Sequence, residues 1–376
     1  MKVLLFSKDP ALFREDDGRI GDARRRHAFY AARLCERHPG SEIRIIGYTR
    51  AGERTHEVAP GLTLYPTNSR LRLLYLAGAA LCLREVLADG WRPDVVSVQT
   101  PWEEGVLGLL VARLLGARFI PQLHVDIFSE EWAREHPLNR WRRFVAKRVL
   151  ARAAVVRVVS ESLRVRVVEH CKLPMDGVRV APVGVDFAPA PRSRNQAGHP
   201  VVLFVGRLSP EKRLDLWLQV AQDIARDRPD ARFVIVGDGR KRAELEAGAR
   251  ELGIGTKVAF AGAIKHSELP AVYADADVFL LTSDHEAFGR VVLEAQLSGV
   301  PVVSTDCSGP RELIATGKTG VLVARGDRSG LASAVRNLLT DPVLAAEISK
   351  RGESSARERY TLPALTDRLI DAWERA

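Results

Sequence analysis

Short runs of consecutive apolar residues recur along the chain, each followed by a segment of helical length. In the first half the runs are Val3–Ser7, Glu42–Tyr48, Asp94–Gln99, Phe119–His124, Ala154–Ser160 and Val178–Val183. In the second half they are Val201–Val205, Arg232–Val236, Val258–Ala261, Val278–Leu281, Val300–Ser304 and Gly320–Val323. Continuous rather than alternating apolarity predicts strands covered on both faces, and the amphipathic segments between them predict the covering helices. The repeated βα pattern therefore predicts an α/β protein of two doubly wound, Rossmann-like domains with parallel sheets. Proline and polar residues without apolar period mark a linker at 189–198, between an N-terminal domain over 1–188 and a C-terminal domain over 199–359. Leu365 to Trp373 predicts a last amphipathic helix within 360–376. Ligands of open α/β sheets bind at the carboxyl ends of the strands. Two such domains facing each other place the expected active site in the cleft between them.

Length and composition narrow the class. A chain of 376 residues is too long for one ordinary core, and 46% hydrophobic with 27% charged residues is a globular composition. Its four cysteines, Cys35, Cys82, Cys171 and Cys307, are widely spaced, which argues against a disulfide framework or zinc cluster and fits a reducing cytoplasm. The apolar run that follows Met1 is too short for a signal peptide, and Leu73 to Leu83 is about half a membrane span. The net charge of +9 is uneven: residues 1–190 carry +8 and residues 191–376 carry +1. A basic first half suggests an anionic partner, either phospholipid head groups or a lipid-diphosphate acceptor. Nucleic acid is disfavoured, because zinc-finger and RNA-recognition signatures and aromatic–basic interleaving are missing from the sequence.

The chemistry concentrates in the second half. Glu286 and Glu294 stand eight positions apart where the strand ending at Ser283 gives way to a helix. Ala287, Phe288 and Gly289 bring backbone N–H groups to that helix start, which favours anions. One carboxylate lies in the loop and the other about two turns along the helix. After Val201–Val205, Gly206 lets the chain turn, Arg207 offers a planar fork of donors, and Lys212 offers a point charge. Cations at a strand's end suit a diphosphate leaving group, whose charge grows as its bond to carbon breaks. Gly237-Asp238-Gly239 ends another strand; the acidic Asp238 and the missing third glycine disfavour a dinucleotide fingerprint. Gly262 follows the strand Val258–Ala261, where backbone groups meet a nucleobase edge or simply turn.

In order and spacing, the run from Val201 to Val323 resembles the family 4 glycosyltransferases, also called glycosyl transferases group 1. The matching residues are Gly206-Arg207-Leu208 with Glu211-Lys212, then Val236-Gly237-Asp238-Gly239, then Phe260-Ala261-Gly262, then the Glu286 to Glu294 run. Gly299-Val300-Pro301-Val302-Val303, Glu312, Gly317 and Gly320 complete the series. The resemblance implies a GT-B fold and a retaining transfer of sugar from a UDP- or GDP-linked donor. It implies that Arg207 and Lys212 bind the donor diphosphate, that Glu286 and the following amides hold the donor sugar, and that Glu294 holds the ribose. In the acceptor-binding first half it implies that Gly18 and Gly21 approach the donor phosphate and that His124 lies near the transferred sugar. It implies a final helix that crosses back to the first domain. The family's glycine is Ala287 here, its adjacent glycine pair is missing near Gly18 and Gly21, and Val125 separates His124 from Asp126.

The resulting expectation is a transferase with no cofactor and no metal, since cationic side chains take the ion's place. Its acceptor would be a glycan, lipid-linked intermediate or glycolipid in cell-surface polysaccharide or glycolipid synthesis. The helix from Trp141 to Val149 has apolar residues at i, i+3, i+4 and i+8 with flanking cations, which suits either a membrane surface or its own domain. Location would be cytoplasmic, with peripheral contact at the inner face of the membrane. Glu103 and Glu104, after the strand ending at Gln99, read as a solvated acidic pair in preference to an acceptor contact. Two rivals share this pattern: a sugar-nucleotide epimerase of the same shape, and a non-catalytic nucleotide-sugar-binding protein.

Overall fold

The computed structural model describes residues 1–13, 23–50, 52–71, 74–192 and 198–375. The chain divides into two compact units. Among the described residues, unit 1 takes those of 1–184 and 362–375, and unit 2 those of 185–361. The division thus falls four residues before the position read from composition.

Unit 1 contains strands β1 (Lys2–Ser7), β2 (Glu42–Gly47), β3 (His56–Ala59), β4 (Leu62–Pro66), β5 (Val95–Val98), β6 (Arg118–Leu123), β7 (Val156–Val158) and β8 (Val178–Val180). They form one sheet in the order β3-β4-β2-β1-β5-β6-β7-β8. All pairings are parallel except the β3–β4 hairpin. That hairpin was not expected from the sequence, because His56-Glu57-Val58-Ala59 lacks a continuous apolar run. The helices are α1 (Ala23–Arg37), α2 (Tyr75–Val86), α3 (Glu103–Leu115), α4 (Glu130–Glu135), α5 (Asn139–Leu150) and α6 (Glu161–Cys171).

Alternation along β1 shows how both sheet faces are used. Val3 and Leu5 join the cluster that contains Tyr30 and Leu34 of α1. Leu4 and Phe6 join the opposite cluster with Tyr75 and Ala79 of α2 and Val111 of α3. This two-sided burial is why the strand reads as an unbroken apolar run.

Unit 2 contains β9 (Val201–Val205), β10 (Arg232–Val236), β11 (Val258–Gly262), β12 (Val278–Leu281), β13 (Val302–Thr305) and β14 (Val321–Val323). They form a wholly parallel sheet ordered β11-β10-β9-β12-β13-β14. Its helices are α7 (Leu214–Asp227), α8 (Arg242–Glu251), α9 (Leu269–Ala274), α10 (Arg290–Leu297), α11 (Ser308–Leu313), α12 (Arg328–Thr340) and α13 (Pro342–Arg359). Trp217 of α7 is fully buried, and its indole N–H donates to the Leu280 carbonyl of β12 at 3.1 Å.

The last helix, α14 (Leu362–Glu374), belongs to unit 1. It packs on α1: Leu369, Ile370 and Trp373 enter the α1 core cluster. At its surface Arg33 grips the Asp367 carboxylate with two bonds of 2.8 and 3.0 Å.

Candidate active site

Strand order in unit 2 reverses direction at β9: β10 lies on one side of it and β12 on the other. A crevice opens at such a switch point outside the carboxyl ends of the strands. The loops that follow β9 and β12 meet there. The Thr282 hydroxyl donates to the carbonyls of Lys212 and Arg213, at 2.9 and 3.0 Å, and the Asp284 N–H donates to the Glu211 carbonyl at 2.9 Å. Arg213 adopts the left-handed conformation at φ 46° and pairs with Asp284 at 3.2 Å.

These contacts bring Lys212 and Glu286 together. The Lys212 ammonium donates to a Glu286 carboxylate oxygen, and the Ser283 hydroxyl donates to the same oxygen at 2.9 Å. Both charged side chains are largely buried, at 13% and 12% exposed. The backbone of Glu286 is fixed as well. Its carbonyl receives the Gly309 N–H and the Ser308 hydroxyl, each at 2.9 Å. A Cβ on Gly309 would stand 2.5 Å from the Phe288 carbonyl oxygen, so no other residue fits without moving that loop.

Glycine ends three neighbouring strands at this edge. The Gly206 N–H donates to the Val236 carbonyl at 2.9 Å, and the Gly237 N–H to the Gly262 carbonyl at 2.7 Å. Gly237 has φ 131°, and a Cβ there would lie 1.8 Å from the Gly206 carbonyl oxygen. A Cβ on Gly239 would lie 2.4 Å from the Leu208 carbonyl oxygen. The Gly237-Asp238-Gly239 turn therefore exists so that two loops can run backbone against backbone. Arg207 projects from this edge with its side chain 82% exposed, 3.7 Å from Glu211. Burial opposes ionisation of Glu211, but the hydrogen bond from the Ser209 hydroxyl and the nearby cations hold it below its ordinary range.

Gly289, at φ 93°, turns the chain into α10. The Phe288 ring is buried against Tyr360, with centroids 5.9 Å apart, so Phe288 can offer a ligand only its backbone. Ala287 is half-buried. Two turns along, Glu294 is buried, accepts a bond from the Tyr273 hydroxyl at 3.1 Å and lies 3.9 Å from His266. Burial, and then the Glu294 charge, push the Tyr273 phenol well above its ordinary pKa. The Phe187 ring stands edge-on to both His266 and Tyr273. Lys212, Ser283 and Glu286 thus share one contact network, and Glu294 sits in another with Tyr273. Ser283, Tyr273, His266 and Ser308 carry no local signal, because their partners lie elsewhere along the chain.

In unit 1, His124 follows directly after β6. Burial, and then the charges of Arg157, Arg26 and His27, push its pKa down to about 3, so it is a neutral imidazole at physiological pH. Arg157 is buried in β7, donating to the Ala181 carbonyl at 2.7 Å and to Gln122. Asp126 accepts the Phe128 N–H at 2.9 Å and pairs with Arg166 at 3.2 Å. Gly18 and Gly21 lie outside the described residues. The solvated reading of Glu104 is corrected: it is fully buried, it accepts the Thr100 hydroxyl at 2.8 Å, and burial raises its pKa to about 7. Glu103 is instead tied to Arg142 at 2.8 Å.

Residues 190–355 match the family model described as glycosyl transferases group 1, and residues 26–189 match glycosyltransferase family 4. A GDP-mannose-dependent alpha-mannosyltransferase of Mycobacterium tuberculosis is 34% identical over 76% of this chain and 74% of its own length. The chain belongs to glycosyltransferase family 4. A second GDP-mannose-dependent alpha-mannosyltransferase, from Mycolicibacterium smegmatis, is 32% identical over 76% of this chain and 74% of its own length. Among solved structures, sucrose-phosphate synthase of Thermosynechococcus elongatus has a TM-score of 0.83 at 22% identity, covering 100% of this chain and 98% of that one. The Anabaena HepE protein, solved with UDP and glucose, has a TM-score of 0.77 at 20% identity and covers all of both chains. As a family 4 member with two Rossmann-like units, this GT-B protein is a glycosyltransferase that uses a nucleotide-sugar donor.

Proposed function

We propose that unit 2 binds the donor and that transfer proceeds with retention of anomeric configuration. The observation that carries this reading is the pairing of Lys212 with Glu286 at the β9/β12 switch point. Lys212 and the exposed Arg207 supply positive charge to the departing nucleoside diphosphate, in place of a metal ion. Glu286 accepts hydrogen bonds from donor-sugar hydroxyls, and the Ala287, Phe288 and Gly289 backbone lies alongside. Gly206, Gly237 and Gly262 let the nucleotide approach bare backbone, and Glu294 takes the ribose hydroxyls. The acceptor hydroxyl attacks from the leaving group's side and its proton passes to the diphosphate oxygen, so no protein nucleophile is required. Neutral His124 supplies a hydrogen bond near the transferred sugar in unit 1.

The relatives named as GDP-mannose-dependent make GDP-mannose the first donor to test, with UDP-glucose beside it. The acceptor in this reading is the hydroxyl of a glycan, lipid-linked or glycolipid molecule of the cell surface, reached from the cytoplasmic face. No helix among the described residues is long and apolar enough to cross a membrane. Surface contact is supported by α5, whose stripe divides in two. Ala146, Val149 and Leu150 are buried in the domain, whereas Trp141 and Phe144 are exposed, the latter under Arg148 at 3.4 Å. Two of the flanking cations are engaged within the chain, since Arg142 pairs with Glu103 and Arg143 with Glu130. The membrane test is therefore Trp141→Ala/Phe144→Ala, which should reduce pelleting with anionic vesicles; unchanged pelleting refutes surface contact. The test of the function itself is product analysis with a donor panel. An α-linked product from an α-linked donor, formed only with acceptor present, supports retaining transfer. Conversion of donor without acceptor would instead indicate the epimerase.

A further inference from the structure

Unit 1 has a concave site of its own, between edge strand β8 and helices α6 and α14. It is a cavity of about 250 Å³ lined by four arginines, Arg164, Arg179, Arg368 and Arg375, against two carboxylates, Glu161 and Asp371. Both carboxylates are already engaged. Asp371 pairs with Arg37 on α1 at 2.9 Å, and Glu161 pairs with Arg164 at 3.4 Å. Arg164 also spans to the Met175 carbonyl at 2.8 Å, which fixes its guanidinium. The Arg179 Nε is buried with no hydrogen-bond partner among the described residues. Arg368, on α14, and Arg375, just past its C-terminal end, make no side-chain ion pair among the described residues. Three guanidinium groups thus converge on one hollow without matching acid. Cations gathered this way repel one another and leave a buried donor unmet, and both costs vanish when an anion enters.

We propose that this hollow binds the phosphate or diphosphate group of a small soluble metabolite. Guanidinium forks match phosphate oxygens in pairs, and several of them on rigid strand and helix backbones outline a multidentate anion site. The volume is small for a whole nucleotide and suits a diphosphate or a phosphorylated monosaccharide. The position gives binding a consequence. β8 leads within four residues to Gly184, where the chain leaves unit 1, and α14 begins at Leu362, where it returns. Those two crossings are packed tightly, since a Cβ on Gly184 would stand 2.6 Å from Leu362 Cδ1. An anion held by Arg179 of β8, by Arg368 of α14 and by Arg375 just beyond that helix fastens the outgoing segment to the returning one, so its occupancy stabilises unit 1.

The experiment is calorimetric titration of inorganic pyrophosphate, with a chloride control at equal ionic strength. The starting protein is Lys212→Ala, which weakens the donor cradle; Arg207 is retained in every variant, so differences between variants report the hollow. Saturable binding is expected in that protein, and at least tenfold weaker binding in Lys212→Ala/Arg368→Ala/Arg375→Ala. Both arginines are exposed, so the added substitutions should leave the ligand-free melting temperature unchanged. Arg179→Lys on the Lys212→Ala background is the second variant, expected to weaken binding while keeping the charge. Pyrophosphate should also raise the melting temperature of Lys212→Ala and not that of the triple variant. Lack of saturable binding in Lys212→Ala, or equal affinity with and without the two arginines, overturns the proposal. Either result leaves the donor cradle untouched, since that reading is tested by donor turnover.

Discussion

Lys212→Ala separates what the ion pair does for the fold from what it does for transfer. The substitution strands the Glu286 carboxylate, which is 12% exposed and among the described residues keeps only the Ser283 hydroxyl as a side-chain donor. Two unit charges at about 4 Å attract by about 4 kcal/mol at the effective dielectric of a half-buried site. Breaking a buried pair from one side costs about 3–5 kcal/mol. With residual exposure the expected loss is about 3 kcal/mol, a fall of roughly 6–12 °C in melting temperature for a unit of this size. Turnover should fall about 10²–10³-fold, because the cation facing the developing diphosphate charge is gone. The decisive variant is Lys212→Ala/Glu286→Gln. It leaves no unpaired charge, so it should recover most of the lost stability and none of the lost turnover. The assays are chemical denaturation and nucleoside-diphosphate release with donor and acceptor. If the double variant regains turnover to within tenfold of the parent, the pair is structural and the catalytic role fails. If Lys212→Ala melts within a degree of the parent, the burial argument fails.

Three further outcomes are expected. Arg207→Ala should leave stability within about 0.5 kcal/mol, as for an exposed surface change, yet cut turnover by about 10²-fold; parental rates would remove Arg207 from the site. Gly237→Ala should cost several kcal/mol and lower donor affinity through displaced loops, since its Cβ would sit 1.8 Å from the Gly206 carbonyl oxygen; a stable variant with normal donor binding would contradict the backbone packing. Glu104 has its pKa raised by burial to about 7. Between its ordinary pKa and that value the unfolded chain has lost the proton while the folded chain keeps it, so stability falls as pH rises through that window, by up to about 3 kcal/mol. Glu104→Gln should therefore raise the melting temperature at pH 8 and not at pH 4; a pH-independent effect would refute it.

The strands were legible because burial on both faces writes itself as unbroken apolarity. The β3–β4 hairpin was not, since it lies at the sheet edge where one side needs little burial. Glycines announced the turns at Gly206, Gly237 and Gly289, but not their reason: Gly237 is required by the Gly206 carbonyl oxygen in the turn after a neighbouring strand, a contact with no local trace. Lys212 and Glu286 were each readable from their motifs, whereas their mutual bond depends on β9 and β12 lying side by side, which only strand order reveals. Glu103 and Glu104 looked alike in the sequence, and only packing distinguishes the ion-paired one from the fully buried one.

The most direct measurement is a crystal structure of the chain with its nucleoside diphosphate. The account predicts diphosphate oxygens within hydrogen-bond distance of Lys212 Nζ and the Arg207 guanidinium, at the carboxyl ends of β9 and β12. A diphosphate bound anywhere else, with Lys212 still closed on Glu286, would contradict it.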